Sequence, residues 1–205
     1  MHERKSRTQG EGAGQMADIR EEKRRLRRLA REKRDQMSPE AQAEASRRIR
    51  DRITALPEYR KAGTVMAYVS MPGEPDTREI IWDAVNRGKR VLLPRCTDRE
   101  HMEAVPFTGE ADLVPGRWGI PEPKPEISAI QPTDEGPEII LVPCAAASRD
   151  GKRLGHGAGY YDRFLREMTG LRICLCFEAL LMEDLPTDEL DVKMDRVLTE
   201  ANTLV

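Results

Sequence analysis

The sequence is poor in residues that hold transition metals. It has three histidines (His2, His101, His156) and four cysteines (Cys96, Cys144, Cys174, Cys176), with no CxxC pair. That pattern is neither a common zinc arrangement nor a disulfide scaffold. Cys174 and Cys176 would share one strand face, which permits a two-ligand metal site. The default for all four is a small buried hydrophobe. Long apolar runs are also missing: none approaches the roughly 18 residues a membrane helix needs. The first residues lack the apolar core of a signal peptide, so a cytoplasmic protein without a membrane partner is expected. A large charge excess is absent too: 34 basic and 36 acidic residues leave a net charge of -2, with no overall pull toward nucleic acid. No internal repeat is evident.

What remains is a highly charged globular chain of 205 residues, 39% hydrophobic and 34% charged. One domain over residues 17–205 is expected, behind a tail (1–16) too polar to bury anything and therefore disordered. Residues 18–36 read as a basic helix with Leu26 and Leu29 as apolar anchors. Ser38 and Pro39 announce a second helix, as N-cap and first helical residue, running to about Leu56. Apolar runs at 64–70, 90–94, 138–143 and 171–177 read as strands, with a last short one at 196–199. Asp76 and Glu79 resemble a capping box for a helix ended by Gly88. The proline-rich stretch 103–133 reads as loops with one edge strand near 104–107. A helix is expected from Tyr160 to about Met168. Apolar strands alternating with helices imply a three-layer α/β/α fold with a mainly parallel central sheet. In such sheets ligands bind beyond the carboxyl ends of the strands, here the loops after Val69 and Val142.

The most informative segment is Gly151-Lys-Arg-Leu-Gly-His-Gly-Ala-Gly-Tyr-Tyr-Asp-Arg163. Gly155, Gly157 and Gly159 alternate with single residues ahead of a helix. Glycines without a Cβ let several backbone N–H groups approach one anion, and the helix directs its positive end there. Arg153 and Arg163 add full charges. The spacing is neither a Rossmann fingerprint nor a Walker A loop.

Together with Lys23-x-x-Leu-Arg27, this motif resembles the 5-formyltetrahydrofolate cyclo-ligase family. Weaker matches follow in the family's order: Ser70-Met71-x-x-Glu74-x-x-Thr77, Gly88-Lys89, Leu93-Pro94, Trp118-Gly-Ile-Pro-Glu-Pro123, Val142-Pro143 and Asp191-x-Lys193-x-Asp195. The resemblance implies an ATP-dependent ligase of folate and one-carbon metabolism. Its reaction would close 5-formyltetrahydrofolate to 5,10-methenyltetrahydrofolate, releasing ADP and phosphate with Mg2+. It assigns ATP binding to Lys23, Arg24, Arg25, Leu26 and Arg27, and to Arg153, Leu154, Gly155, His156, Gly157, Ala158, Gly159, Tyr160 and Tyr161. Val69, Glu74 and residues 156 to 160 would contact the folate, in mono- or polyglutamyl form. Asp162 and Asp191 match magnesium carboxylates. No catalytic residue is singled out beyond a phosphoryl-transfer loop of Arg153, Gly157 and Gly159. A monomer is expected.

Departures from the family pattern are His156, the stretch Cys144-Ala-Ala-Ala-Ser148, and Leu180. They leave open a catalytically silent paralogue that binds ATP and folate in a regulatory role. A nucleic-acid module on residues 20–34 is a third reading, weakened by interspersed acids and the lack of aromatics.

Overall fold

A computed structural model describes residues 4–131 and 135–205. Helix α1 (Arg4–Asp35) is followed by α2 (Pro39–Ala55) and short α3 (Pro57–Lys61). Next come β1 (Thr64–Met66), α4 (Arg78–Asn86), and the strands β2 (Arg90–Cys96) and β3 (Met102–Phe107). The proline-rich stretch carries β4 (Leu113–Pro115) and β5 (Pro121–Pro123), ahead of β6 (Ile139–Val142). Then follow β7 (Ala146–Ser148), β8 (Arg153–Leu154), α5 (Tyr160–Glu167) and β9 (Leu171–Leu175). Short strands β10 (Leu181–Met182), β11 (Arg196–Leu198) and β12 (Thr203–Leu204) complete the order.

The main sheet has seven strands in the order β12-β11-β9-β6-β1-β2-β3. Its five inner strands are parallel, and an antiparallel strand closes each edge. From β1 the chain steps through α4 to β2 on one side. From β6 it steps through α5 to β9 on the other. Parallel crossovers are almost always right-handed, so two steps in opposite directions put α4 and α5 on opposite faces. The order therefore reverses between β1 and β6, and a crevice opens beyond their carboxyl ends.

Burial explains why these runs are strands. Ile139, Ile140, Leu141 and Val142 are all buried, as are Val65, Met66, Leu92, Ile173 and Cys174. Covering both faces of a strand requires apolar residues at successive positions. Each fully buried Ile or Leu contributes about 1.5–3 kcal/mol. The thiols of Cys144, Cys174 and Cys176 lie in this core, unpaired, and Cys96 is half-buried.

Three details differ from the sequence reading. Helix α1 reaches back to Arg4, although residues 1–16 read as disordered; residues 1–3 lie outside the described residues. Once a helix is nucleated by packing, each further residue adds a hydrogen bond, and good helix formers among the glycines carry it outward. The capping box at α4 does not form. Asp76 Oδ1 accepts from Arg78 N at 3.0 Å, while Glu79 is drawn away to Arg50. Finally, β4–β5 and β10-β7-β8 form two small extra sheets that proline and short length concealed. The expected loop to residue 133 runs partly outside the described residues.

Candidate active site

A cleft of about 820 Å³ lies at the β1/β6 reversal. One wall follows β1, with Tyr68, Val69, Met71 and Glu74. The opposite wall is Pro143 and the segment Arg153–Arg163. The antiparallel pair β7–β8 turns the chain back from β6, so that the glycine loop between β8 and α5 returns to the sheet rim. Gly157 and Gly159 hold left-handed φ of 110° and 72°, which a residue with a Cβ adopts only under strain.

Helix α1 forms a third wall. Leu26 and Ala30 are buried in the core and anchor it. With 3.6 residues per turn, Arg20, Lys23, Arg24 and Arg27 then share the face toward the cleft. Arg25 and Leu26, expected among the nucleotide contacts, do not reach it. Arg25 is exposed and paired with Glu22 at 2.7 Å, and Leu26 points inward. One hundred degrees per residue separates neighbours in a contiguous motif.

Charges in the cleft are heavily paired. Lys23 Nζ lies 2.8 Å from Asp188 and 2.6 Å from Asp191. Burial raises the Asp188 pKa, but the Lys23 hydrogen bond and the Leu190 N–H outweigh it and hold the carboxyl below its ordinary value. Arg153 is buried with its guanidinium 2.8 Å from Asp162, and it donates to the Pro143 carbonyl at 3.1 Å. Burial works against the Arg153 charge, and Asp162 more than restores it. Arg27 donates to Gly155 O at 2.7 Å, and Arg163 to Ala158 O at 2.7 Å, so two cations fasten the glycine loop. His156 Nε2 stands 2.9 Å from Glu74 Oε1, across the cleft.

Among the described residues no cluster of three or more His, Cys, Asp or Glu is arranged for a metal. Asp162 and Asp191 nevertheless both line the cleft, linked by the Asp162 contact to Val192 N at 3.3 Å. The Asp191 contacts to Lys23 and Asp188 N both fall on Oδ2. Two carboxylates are the usual protein share for Mg2+, which otherwise takes phosphates and water. The donor set fits that ion.

Every other expected site residue lines the cleft: Val69, Glu74, Lys23, Arg24, Arg27, the run Arg153–Tyr161, Asp162 and Asp191. Of the departures, His156 lines the cleft, whereas the 144–148 stretch and Leu180 do not. Cys144, Ala146, Ala147 and Ser148 are buried beside the loop, and Leu180 packs in the core. Sequence reasoning missed Arg20, Tyr68, Cys96 and Asp188. Arg20 and Asp188 had a signal, lying three residues before Lys23 and Asp191.

At the order reversal of an α/β sheet, one cleft thus gathers a glycine loop, the cations of α1 and the carboxylates of Asp162 and Asp191, the layout of an enzyme site in this class of fold. Residues 19–200 match the model of the 5-formyltetrahydrofolate cyclo-ligase family, and the chain belongs to that family. A Schizosaccharomyces pombe protein named probable 5-formyltetrahydrofolate cyclo-ligase is 33% identical over 162 residues, 72% of this chain and 79% of the relative. The Escherichia coli K12 5-formyltetrahydrofolate cyclo-ligase is 29% identical over 176 residues, 83% of this chain and 96% of its own. The NMR structure of Aquifex aeolicus 5,10-methenyltetrahydrofolate synthetase superposes with a TM-score of 0.79 at 31% identity, covering 89% of this chain and 91% of that one.

Proposed function

We propose that the chain uses ATP to close 5-formyltetrahydrofolate to 5,10-methenyltetrahydrofolate, releasing ADP and phosphate. The observation that supports it most is the meeting, in one cleft, of the α1 cations, the glycine loop and the Glu74 turn. The formyl group is an amide, so its carbon is a poor electrophile and its oxygen electron-rich. The γ-phosphoryl group passes to that oxygen, and ADP leaves. Nitrogen 10 of the folate then attacks the formyl carbon and loses its proton to solvent. The carbon–oxygen bond breaks, and phosphate departs with the electron pair.

Positioning and charge neutralisation carry such a reaction. Arg27, Arg153 and the amides around Gly157 and Gly159 hold the phosphates, with Lys23 and Arg24 beside them. Val69 gives the folate an apolar wall, and Glu74 accepts hydrogen bonds from its amino-pyrimidine edge. Asp162 and Asp191 would hold Mg2+, which when bound neutralises phosphate charge. We place the protein in the cytoplasm as a single-domain monomer. Among the described residues no helix is long and apolar enough to cross a membrane.

The test is growth of the methenyl product's absorbance band when enzyme, ATP, Mg2+ and 5-formyltetrahydrofolate are all present. Omitting any one should abolish it. Folded protein that makes no product under these conditions overturns the reading.

A further inference from the structure

Glu74 is a buried carboxylate with two partners of different kinds. Its Oε2 accepts from the Met71 N–H at 2.8 Å, within its own turn, where Glu74 N also donates to Met71 O at 3.0 Å. That bond fixes the plane of the carboxylate. Among the described residues the other oxygen, Oε1, meets the His156 imidazole alone, from a loop 82 residues away. The side chain of Glu74 is 5% exposed, and that of His156 is 40% exposed. The carboxylate therefore stays where it is, and the imidazole is the partner free to leave. Rotation about its own side-chain bonds lets the imidazole leave while Arg27 and Arg163 keep the loop fastened.

A buried carboxylate without a partner is expensive, so Oε1 always needs a donor. Any ligand whose N–H is read by Glu74 must take the position His156 holds. We propose that His156 is a proton-dependent stand-in for the folate on Glu74, making substrate affinity rise with pH. The inference rests on the assignment of Glu74 to the pterin. A neutral imidazole in the Nε2–H form donates one hydrogen bond to the carboxylate. An imidazolium adds a full ion-pair attraction to the carboxylate and is harder to displace. Histidine is the side chain whose charge changes in this way around neutral pH.

Other groups around the pair set the background. Arg27, Arg31 and Arg34 of α1 share a small recess with His156, which Cys144 also lines. Arg153 comes from β8, with its guanidinium against Gly155. Tyr68 and Tyr161 face Glu74, and burial keeps both phenols protonated. The pair thus sits among cationic arginines and neutral phenols, and His156 is the imidazole among them.

The test compares wild type with His156→Gln and His156→Asn at saturating ATP and Mg2+, after circular dichroism confirms folding. The KM for 5-formyltetrahydrofolate should fall about three- to tenfold in wild type between about pH 6 and pH 8. In both variants that slope should vanish, while the pH dependence of kcat remains. Equilibrium binding of 5-formyltetrahydrofolate without ATP should show the same contrast. Parallel KM slopes in all three proteins would overturn the proposal, as would weaker folate binding by the variants at every pH. If wild type binds folate but never turns over, the proposed reaction fails, and the binding arm alone decides the role of His156.

Discussion

Lys23 on the first helix meets Asp191 at 2.6 Å, 168 positions later in the chain, and the same ammonium holds Asp188. The lysine was expected to face nucleotide phosphates and the aspartate a metal ion. In this structure they neutralise each other. A phosphate or cation entering the cleft thus exchanges partners within an existing charge cluster.

Lys23→Met should therefore do more than weaken nucleotide binding. It strands two largely buried carboxylates, so a loss of about 3 kcal/mol in urea unfolding is expected. Adding Asp188→Asn and Asp191→Asn should recover most of it. The folded Asp188 pKa is depressed, so its contribution is present above the unfolded carboxylate value near about 4 and lost as pH falls. The deficit of Lys23→Met should shrink as acid is added. A deficit independent of pH would contradict the pairing.

Gly157→Val should remove activity while sparing the fold. Its φ of 110° disfavours any side chain, and its missing Cβ would point toward Arg27, 3.6 Å away. A loss of about 100-fold or more in kcat/KM is expected, with a stability cost of about 1–3 kcal/mol. Gly170→Ala is the contrasting case. There the added carbon collides with the Pro137 carbonyl, far from the cleft lining, so melting temperature should drop with KM kept.

Asp162→Asn has two separable consequences. Arg153 loses the partner that restores its charge in a buried position, so stability should fall by about 3 kcal/mol. The Mg2+ concentration for half-maximal rate should also rise. A destabilised enzyme with unchanged Mg2+ dependence would remove this carboxylate from the metal's surroundings and leave it a partner of Arg153 alone.

Cys96 lines the cleft, yet its thiol should be sluggish. Burial, and then the charge of Glu122, push its pKa up to about 11. Because the thiolate is the nucleophile, alkylation by iodoacetamide should be slow at about pH 8 and accelerate steeply toward the thiol's own range. Rapid labelling at neutral pH would show that the Glu122 side is open to water.

Local signals were legible where local physics decides them. Ser38 caps α2 as its sequence suggests, accepting from Ala41 N at 3.1 Å, and the apolar runs at β6 and β9 became the buried strands. The glycine loop sits at the strand ends for the same reason. Illegible features depend on partners distant in the chain. Glu79 was captured by Arg50, and His156 by Glu74, neither of which leaves a trace in spacing. Arg25 fell outside the cleft because a sequence motif is linear and a helix face is not.

The left-handed backbone at Gly157 and Gly159 also decides how the cleft should be interrogated. Trimming side chains back to a methyl leaves the main-chain path intact, so a conventional truncation survey would map Arg27 or Arg153 and pass over the loop itself. Insertions of bulk, or D-amino acids placed by chemical synthesis, would report on it instead.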